Sequence, residues 1–217
     1  MRLADAAADL FLGSCCPGCD RPGLGLCGDC ARRLAGPAPA RVPVPVPELI
    51  VVAAGPSDDR LRRLVSAHKE RSAWHLAGPL GERLALAVRH LVAGTGATAV
   101  PLWLVPVPST RRAVRARGYD ATAALARRAG RQLPAASVVR VLQHRRAVRD
   151  QSGLDRAERE RNLAGALGCR GRAADRHCAV VIVDDLVTTG ATVVEAHRAL
   201  TAAGHRVLGA AVVGAAT

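Results

Sequence analysis

Residues 180–192 read VVIVDDLVTTGAT, placing two adjacent carboxylates, Asp184 and Asp185, between a run of branched apolar side chains and a turn of threonine, glycine and alanine. Neighbouring carboxylates repel and are costly to desolvate, so they require hydroxyls, a cation or water as partners. Thr188, Thr189, Gly190, Ala191 and Thr192 carry little bulk, so main-chain amides there can approach an anion closely while the hydroxyls add donors. A vicinal diol facing the acids and a phosphate in the turn satisfy both halves, which is the chemistry of a sugar phosphate. The plainer alternative is a core strand ending in a solvated Asp-Asp turn. Acidic pairs also end strands in phosphoacceptor domains, but near the start of the domain and without such a loop.

The elements around this stretch must position it. Val180, Val181, Ile182 and Val183 are all β-branched, and a continuous apolar run fits a central parallel strand covered on both faces. The acids then fall at its carboxyl end, where open parallel sheets bind ligands. Val193 to Ala203 reads as a helix, with Val193, Val194, His197, Leu200 and Thr201 in register and Gly204 as its stop. An anion at its amino end meets free N–H groups and the positive end of the dipole. Upstream, strands are expected near 49–54, 101–107 and 137–142, and helices near 59–68, 76–92 and 117–131; a final strand is expected at 206–213. This alternation predicts an α/β fold, a parallel sheet flanked by helices with right-handed crossovers, over residues 48–217.

Five of the seven cysteines crowd into CCPGCDRPGLGLCGDC, residues 15–30. Cys16 with Cys19 and Cys27 with Cys30 form two C-x2-C knuckles, a spacing that presents four thiolates to a tetrahedral structural zinc. Cys15 is an alternative to Cys16; Pro17 and Gly18 shape a normal knuckle if Cys16 is the ligand. Disulfides are the competing explanation, disfavoured in a reduced compartment. Residues 1–35 are thus read as a zinc-binding lobe. Cys169 and Cys178 are isolated and read as packing residues. GPAPARVPVPVP, residues 36–47, is read as a stiff, extended linker that leaves the lobe free to move or to dock on a partner.

Two arginine-rich segments add site candidates. In LVPVPSTRRAVRARGYD, residues 104–120, an apolar strand ends in Ser109, Thr110, Arg111 and Arg112, suited to a diphosphate. RRAVRDQSGLDRAERERN, residues 145–162, is read as a lid over the site, with Arg149, Gln151 and Arg161 as its candidate ligands. Solvated arginine faces are the bland reading of both.

A net charge of +13 comes almost entirely from arginine, since Lys69 is the single lysine; polyanions and phosphorylated substrates suit such a surface. Aromatic residues make up only 2%, leaving Phe11, Trp74, Trp103 and Tyr119 as the candidates for stacking on a base, with packing the simpler role for each. No segment is long enough to cross a bilayer, and Ala6 to Leu12 is short and interrupted by Asp9, unlike a secretory signal, so a cytoplasmic location is expected. GLGLCG at 23–28 lies between cysteine knuckles, and GTGATA at 94–99 precedes a strand, so neither reads as a dinucleotide turn. No G-x-x-x-x-G-K-[ST] occurs, which removes a P-loop motor.

The 180–192 stretch resembles the phosphoribosyl pyrophosphate (PRPP) signature of type I phosphoribosyltransferases, with every position filled. More of the chain resembles the competence protein F (ComF) family: the CPGC and CGDC knuckles, His68-Lys69, LVPVP followed by RARGY, Gln151 to Leu154 with Arg161-Asn162, and VDDLVTTGAT. Asp120-Ala121 departs from the Asn-Gln pair usual in the family, and Val148 and Asp150 replace its common Thr and Pro. The resemblance implies a type I phosphoribosyltransferase-like sheet with an amino-terminal zinc-ribbon lobe. It implies PRPP bound with Mg²⁺ by Asp184, Asp185 and residues 188–192, those two acids catalytic, and phosphoribosyl transfer to an unknown acceptor. The alternative that it implies is a non-catalytic DNA-uptake factor that binds single-stranded DNA and a helicase-like partner.

Overall fold

A computed structural model describes residues 15–36, 38–71, 73–97, 100–148, 155–171 and 178–216, with the backbone alone at 156 and 159. Its centre is a six-stranded sheet in the order β1-β2-β8-β7-β3-β4, built from β1 (Ala40–Val42), β2 (Val51–Ala53), β3 (Leu102–Pro106), β4 (Ala136–Val138), β7 (Ala179–Val187) and β8 (Arg206–Ala215). Every neighbouring pair is parallel except β1 with β2. The fold is therefore the expected mixed α/β one. A separate antiparallel pair, β5 (Leu142–His144) with β6 (Leu167–Cys169), stands outside that sheet.

The apolar run that begins β7 divides between two cores, as a strand covered on both faces requires. Val181 and Val183 join Leu64, Leu80, Leu84 and Leu125 on one side, while Val180 and Ile182 join Val193 and Leu200 on the other. The first layer is made by α2 (Asp59–Glu70), α3 (Ala77–Thr95) and α5 (Ala121–Gly130), and the second by α7 (Ala191–Ala202). The β7–β8 register slips by one residue between Val180 and Val181, so Leu208 is the extra residue of a bulge and Gly209 follows it at φ 154°. A Cβ at Gly209 would run into the Ile50 carbonyl oxygen.

Two boundaries differ from expectation for identifiable reasons. The helix expected over 117–131 begins only at Ala121, as α5, because Gly118 turns the chain at φ 79° and Asp120 caps the start, accepting from Ala123 N–H at 3.2 Å; an unexpected short helix, α4 (Arg111–Arg117), precedes it. The strand expected over 137–142 is divided between β4 and β5, which lie in different sheets; the apolar run carries no turn residue to mark the change. The helix α6 (Arg156–Leu163) starts on a capping box between Asp155 and Glu158.

Where linker composition suggested an independent lobe, the amino-terminal cysteines dock on the main body. Their short helix α1 (Gly28–Leu34) inserts Leu34 into the first core. Arg83, only 4% exposed on α3, spends its guanidinium on three carbonyls: Val213 of β8 at 3.0 Å, and Leu34 and Arg33 at 2.8 and 3.2 Å. A buried cation demands such partners, and helix-end carbonyls need donors. Arg63 of α2 also pairs with Asp20 between the knuckles. Within the proline-rich stretch, residues 40–42 are the outer strand β1. Among the described residues no helix is long and apolar enough to cross a membrane.

Gly209→Ala is expected to destabilise the chain by about 2–4 kcal/mol, since it adds a steric clash to a backbone conformation that only glycine adopts readily. Urea unfolding of the two proteins checks this; an unchanged midpoint would mean that the bulge relaxes freely.

Candidate functional site

At the carboxyl ends of β3 and β7 the structure opens into a cleft of about 1150 Å³. It gathers residues far apart in the chain: Asp184 and Asp185 with Thr188, Thr189, Gly190, Ala191 and Thr192 on one wall, and Ser109, Thr110, Arg111 and Arg112 on another. The acid pair belongs to the closing part of β7 and is nearly buried, at 8% and 4% exposure. Asp184 accepts the Asp185 N–H at 2.9 Å and Asp185 accepts the Leu186 N–H at 2.6 Å.

Lys69 is the countercharge. It stands at the carboxyl end of α2, its ammonium paired with Asp185 Oδ2. Burial works against this cation, yet the Asp185 and Asp184 charges prevail and hold its pKa above the ordinary lysine value. Asp184 goes the other way. Burial first, then the adjacent Asp185, push its carboxyl up to about 7 despite the opposing pull of Lys69. Near neutrality Asp184 is therefore about half protonated, beside the Lys69 ammonium held on Asp185.

The end of α2 is clamped from the α4–α5 junction. Tyr119 donates its hydroxyl to the His68 carbonyl, Arg117 Nη1 donates to the Lys69 carbonyl at 2.9 Å, and the His68 ring, 1% exposed, meets the Ala121 carbonyl through Nε2 at 3.3 Å. Burial holds the His68 pKa below the ordinary imidazole value, so the ring is neutral at physiological pH and Nε2 donates to that carbonyl.

The turn after the acids is shaped by Gly190, at φ 80°, which caps α7. Thr189 Oγ1 accepts from Ala191 N–H at 3.4 Å. Val44 and Pro45 of the proline-rich stretch brace the outside of this turn; a Cβ on Gly190 would sit 2.7 Å from Val44 Cγ1. On the opposite wall two of the predicted hydroxyls serve the fold. Thr110 caps α4 by accepting from Ala113 N–H at 3.3 Å, and Ser109 donates to Asp120 Oδ1 at 3.1 Å. Asp120 also pairs with Arg140 at 3.2 Å, so the departure from the family pattern at this position is a buried cap.

Arg111 and Arg112 lie on helix α4, not in a turn, and Arg115, Arg117, Arg145 and Arg146 join them in lining the cleft. These four, with Lys69 and His144, are lining residues outside the predicted set; the arginine runs signalled them and the spacing did not. His144 Nε2 donates to the Pro108 carbonyl at 3.0 Å, tying β5 to the end of β3. Of the lid candidates, Arg149 and Gln151 lie outside the described residues. Arg161 is on α6, where its Nε donates to the Ala157 carbonyl of its own helix, and it does not line the cleft.

In the lobe, Cys16, Cys19, Cys27 and Cys30 bring their sulfurs within 4.8 Å of one another, a donor set that fits a structural zinc. Cys15 is exposed and outside the cluster, whereas Cys16 is 1% exposed and within it. All four are free thiols. Burial opposes ionisation of Cys27, but the Cys30 amide and the neighbouring thiols draw its pKa down to about 7, while burial pushes the Cys19 and Cys30 thiols up. The cluster is closed by its own four sulfurs, which suits a fold-holding ion and leaves no position for substrate.

No protein-family model matches the chain. Among curated proteins it is similar to the DNA utilization protein YhgH of Escherichia coli (strain K12), with 31% identity over 182 residues that span 83% of this chain and 74% of that protein.

Two measurements test this geometry. Zinc content per chain should fall to near zero in Cys16→Ser and stay at the wild-type level in Cys15→Ser; equal loss in both would place Cys15 among the ligands. The raised pKa of Asp184 also has a definite sign. The unfolded carboxyl ionises near its ordinary value while the folded one keeps its proton to about 7, so this group's stability is fully present at low pH and is lost as pH climbs through 7. Asp184→Asn should therefore stabilise the fold by on the order of 3 kcal/mol at pH 8 and by less than half that at pH 5 in urea unfolding. An equal gain at both pH values would contradict the shift.

Proposed function

The chain belongs to the ComF-like family that includes the DNA utilization protein YhgH, and from that premise and its cleft we propose that it binds PRPP and transfers the phosphoribosyl group to an acceptor not yet identified. The observation that carries this reading is the placement of Asp184 and Asp185 beside the 188–192 turn at the start of α7, facing the arginines of α4 across one cleft. The turn offers amides and threonine hydroxyls to the 5′-phosphate at the positive end of a helix. The acids accept the ribose hydroxyls. Arg111 and Arg112, with Arg115 and Arg117, face the diphosphate.

Departure of the diphosphate leaves an electron-poor anomeric carbon, and an ionised carboxylate beside the ribose stabilises the charge that develops there. Lys69 is held on Asp185. Arrival of a multiply anionic donor gives that ammonium a second partner and frees a carboxylate oxygen for the sugar. The half-protonated state of Asp184 near neutrality keeps the electrostatic cost of admitting an anion low. Magnesium suits this cleft only as a companion of the substrate, because Asp185 is neutralised by Lys69 and the described residues offer no cage of open oxygens; Asp184 and Asp185 are the residues that would face it. Bound with the diphosphate, it would offset the charge of the leaving group.

A second reading is supported by the name of the relative, a DNA utilization protein: the chain handles DNA. On this reading we propose single-stranded DNA and a helicase-like partner as what it binds, with the cleft as a ligand site that regulates this role. The basic surface of a chain carrying +13 favours it.

Calorimetry with PRPP and Mg²⁺ decides the first reading. The wild type is expected to bind in the micromolar range, and Asp184→Asn combined with Asp185→Asn to weaken binding by at least about tenfold, or 1.4 kcal/mol, while keeping a cooperative melt. No heat from the wild type, or unchanged affinity in the variant, would overturn it. Diphosphate release measured against bases, amines and single-stranded DNA then identifies the acceptor, and binding without release favours the second reading.

A further inference from the structure

A second depression of about 300 Å³ is lined by His68 and Gly118, chain neighbours of the cleft residues Lys69 and Arg117; it holds two of the aromatic stacking candidates, Trp74 and Tyr119, and none of the predicted phosphate- or metal-binding residues. Its floor is aromatic. Trp74 meets Tyr119 edge to face, with ring centroids 5.7 Å apart at 67°, and Tyr119 in turn packs edge-on to His68 at 5.6 Å. Its rim is cationic, formed by Arg127, Arg128 and Arg131 at the end of α5.

Trp74 is 63% exposed, one of two large apolar side chains so open among the described residues. In a chain with 2% aromatic residues, this placement of an indole in water is a costly use that packing does not explain. The ring is nonetheless held in place. Trp74 begins a short 3-10 turn whose Leu76 is fully buried, and the Tyr119 hydroxyl is fixed on the His68 carbonyl. Arg127, Arg128 and Arg131 form no ion pair with any described residue. A rigid, exposed π-face beside three uncommitted guanidinium groups fits a ligand that carries flat apolar rings and closely spaced anions together.

We propose that this depression is a binding site for single-stranded DNA, with a base stacked on Trp74 and the flanking phosphates on Arg127, Arg128 and Arg131. A duplex hides its base faces and offers only phosphates, so it lacks half of what the site provides. The placement rests on the DNA-handling reading and gives it an address separate from the cleft. The two sites share backbone: Arg117, next to Gly118 in the depression, holds the Lys69 carbonyl, and Lys69 holds Asp185.

The test is fluorescence anisotropy of the full chain with a labelled oligothymidylate of about 20 nucleotides, followed by a salt titration. Trp74→Ala should weaken binding roughly 5- to 100-fold with little change in the salt slope, and Trp74→Phe should recover most of the loss. Replacing the three arginines by alanine should flatten the slope of log K against log salt by up to about 2. An abasic strand of equal length should bind the wild type about as weakly as the thymidylate binds Trp74→Ala. Wild-type affinity in Trp74→Ala, or equal affinity for the abasic strand, would overturn the placement. Absence of any single-strand binding by the wild type would overturn the DNA-handling reading itself. PRPP calorimetry on Trp74→Ala, whose residue lies outside the cleft, separates these outcomes from misfolding.

Discussion

Two carboxylates at the buried end of a central strand are the constraint around which the rest of this molecule is arranged. Even after relaxation, an ion removed from water costs several kcal/mol, and a second like charge next to it adds repulsion. The structure meets the cost with one ammonium and one proton. Lys69 neutralises Asp185, and Asp184 keeps its proton to about 7. That the single lysine of the chain occupies this position is physically sensible. A compact ammonium can shift between a carboxylate and an incoming anion, whereas the planar fork of arginine would commit to one geometry. The residues that clamp α2, Tyr119, Arg117 and Ala121, then act on the acids at one remove, because they fix where the ammonium stands.

The cysteine lobe and the cleft, far apart by composition, are mechanically connected. Arg83 ties the carbonyl end of α1 to β8, and β8 pairs with β7 along the length that leads to the acids. The proline-rich stretch takes a second route, supplying the edge strand β1 and then laying Val44 and Pro45 against Gly190. Proline has no N–H to donate, which suits it to an edge and to a brace that contacts through carbon alone. A structural ion in the lobe would thus help to define the outer wall of the turn as well as the lobe itself.

What the sequence made legible was whatever is local. The β-branched run, the acids, the small turn and the following helix could be read because strand, turn and helix signals follow one another within a few residues. The four cysteines could be read because their spacing encodes geometry directly. Non-local facts were hidden. Nothing in AHKE says that its lysine will meet Asp185, since that pairing depends on how α2 crosses the sheet. Asp120 looked like a departure from a site motif, while in three dimensions it is a cap that also receives Ser109 and Arg140. The split of the 137–142 run between two sheets was equally unreadable, because a short, mostly apolar run satisfies either sheet.

The balance of charge in the cleft shows why the acids and arginines belong to one site. Six arginines and Lys69 line it against the carboxylates of Asp184 and Asp185, one of them half protonated near neutrality, so the cleft holds a strong positive field at its mouth and a neutralised floor. A simple anion would be attracted to the rim with no reason to go deeper. A ligand with a charged end and a hydroxylated body would do both, its anionic groups answering the rim and its hydroxyls replacing the ammonium at the floor. On the proposed function, field and floor together would select for the bifunctional shape of a sugar phosphate, a selectivity that neither the arginine runs nor the acid pair would supply alone.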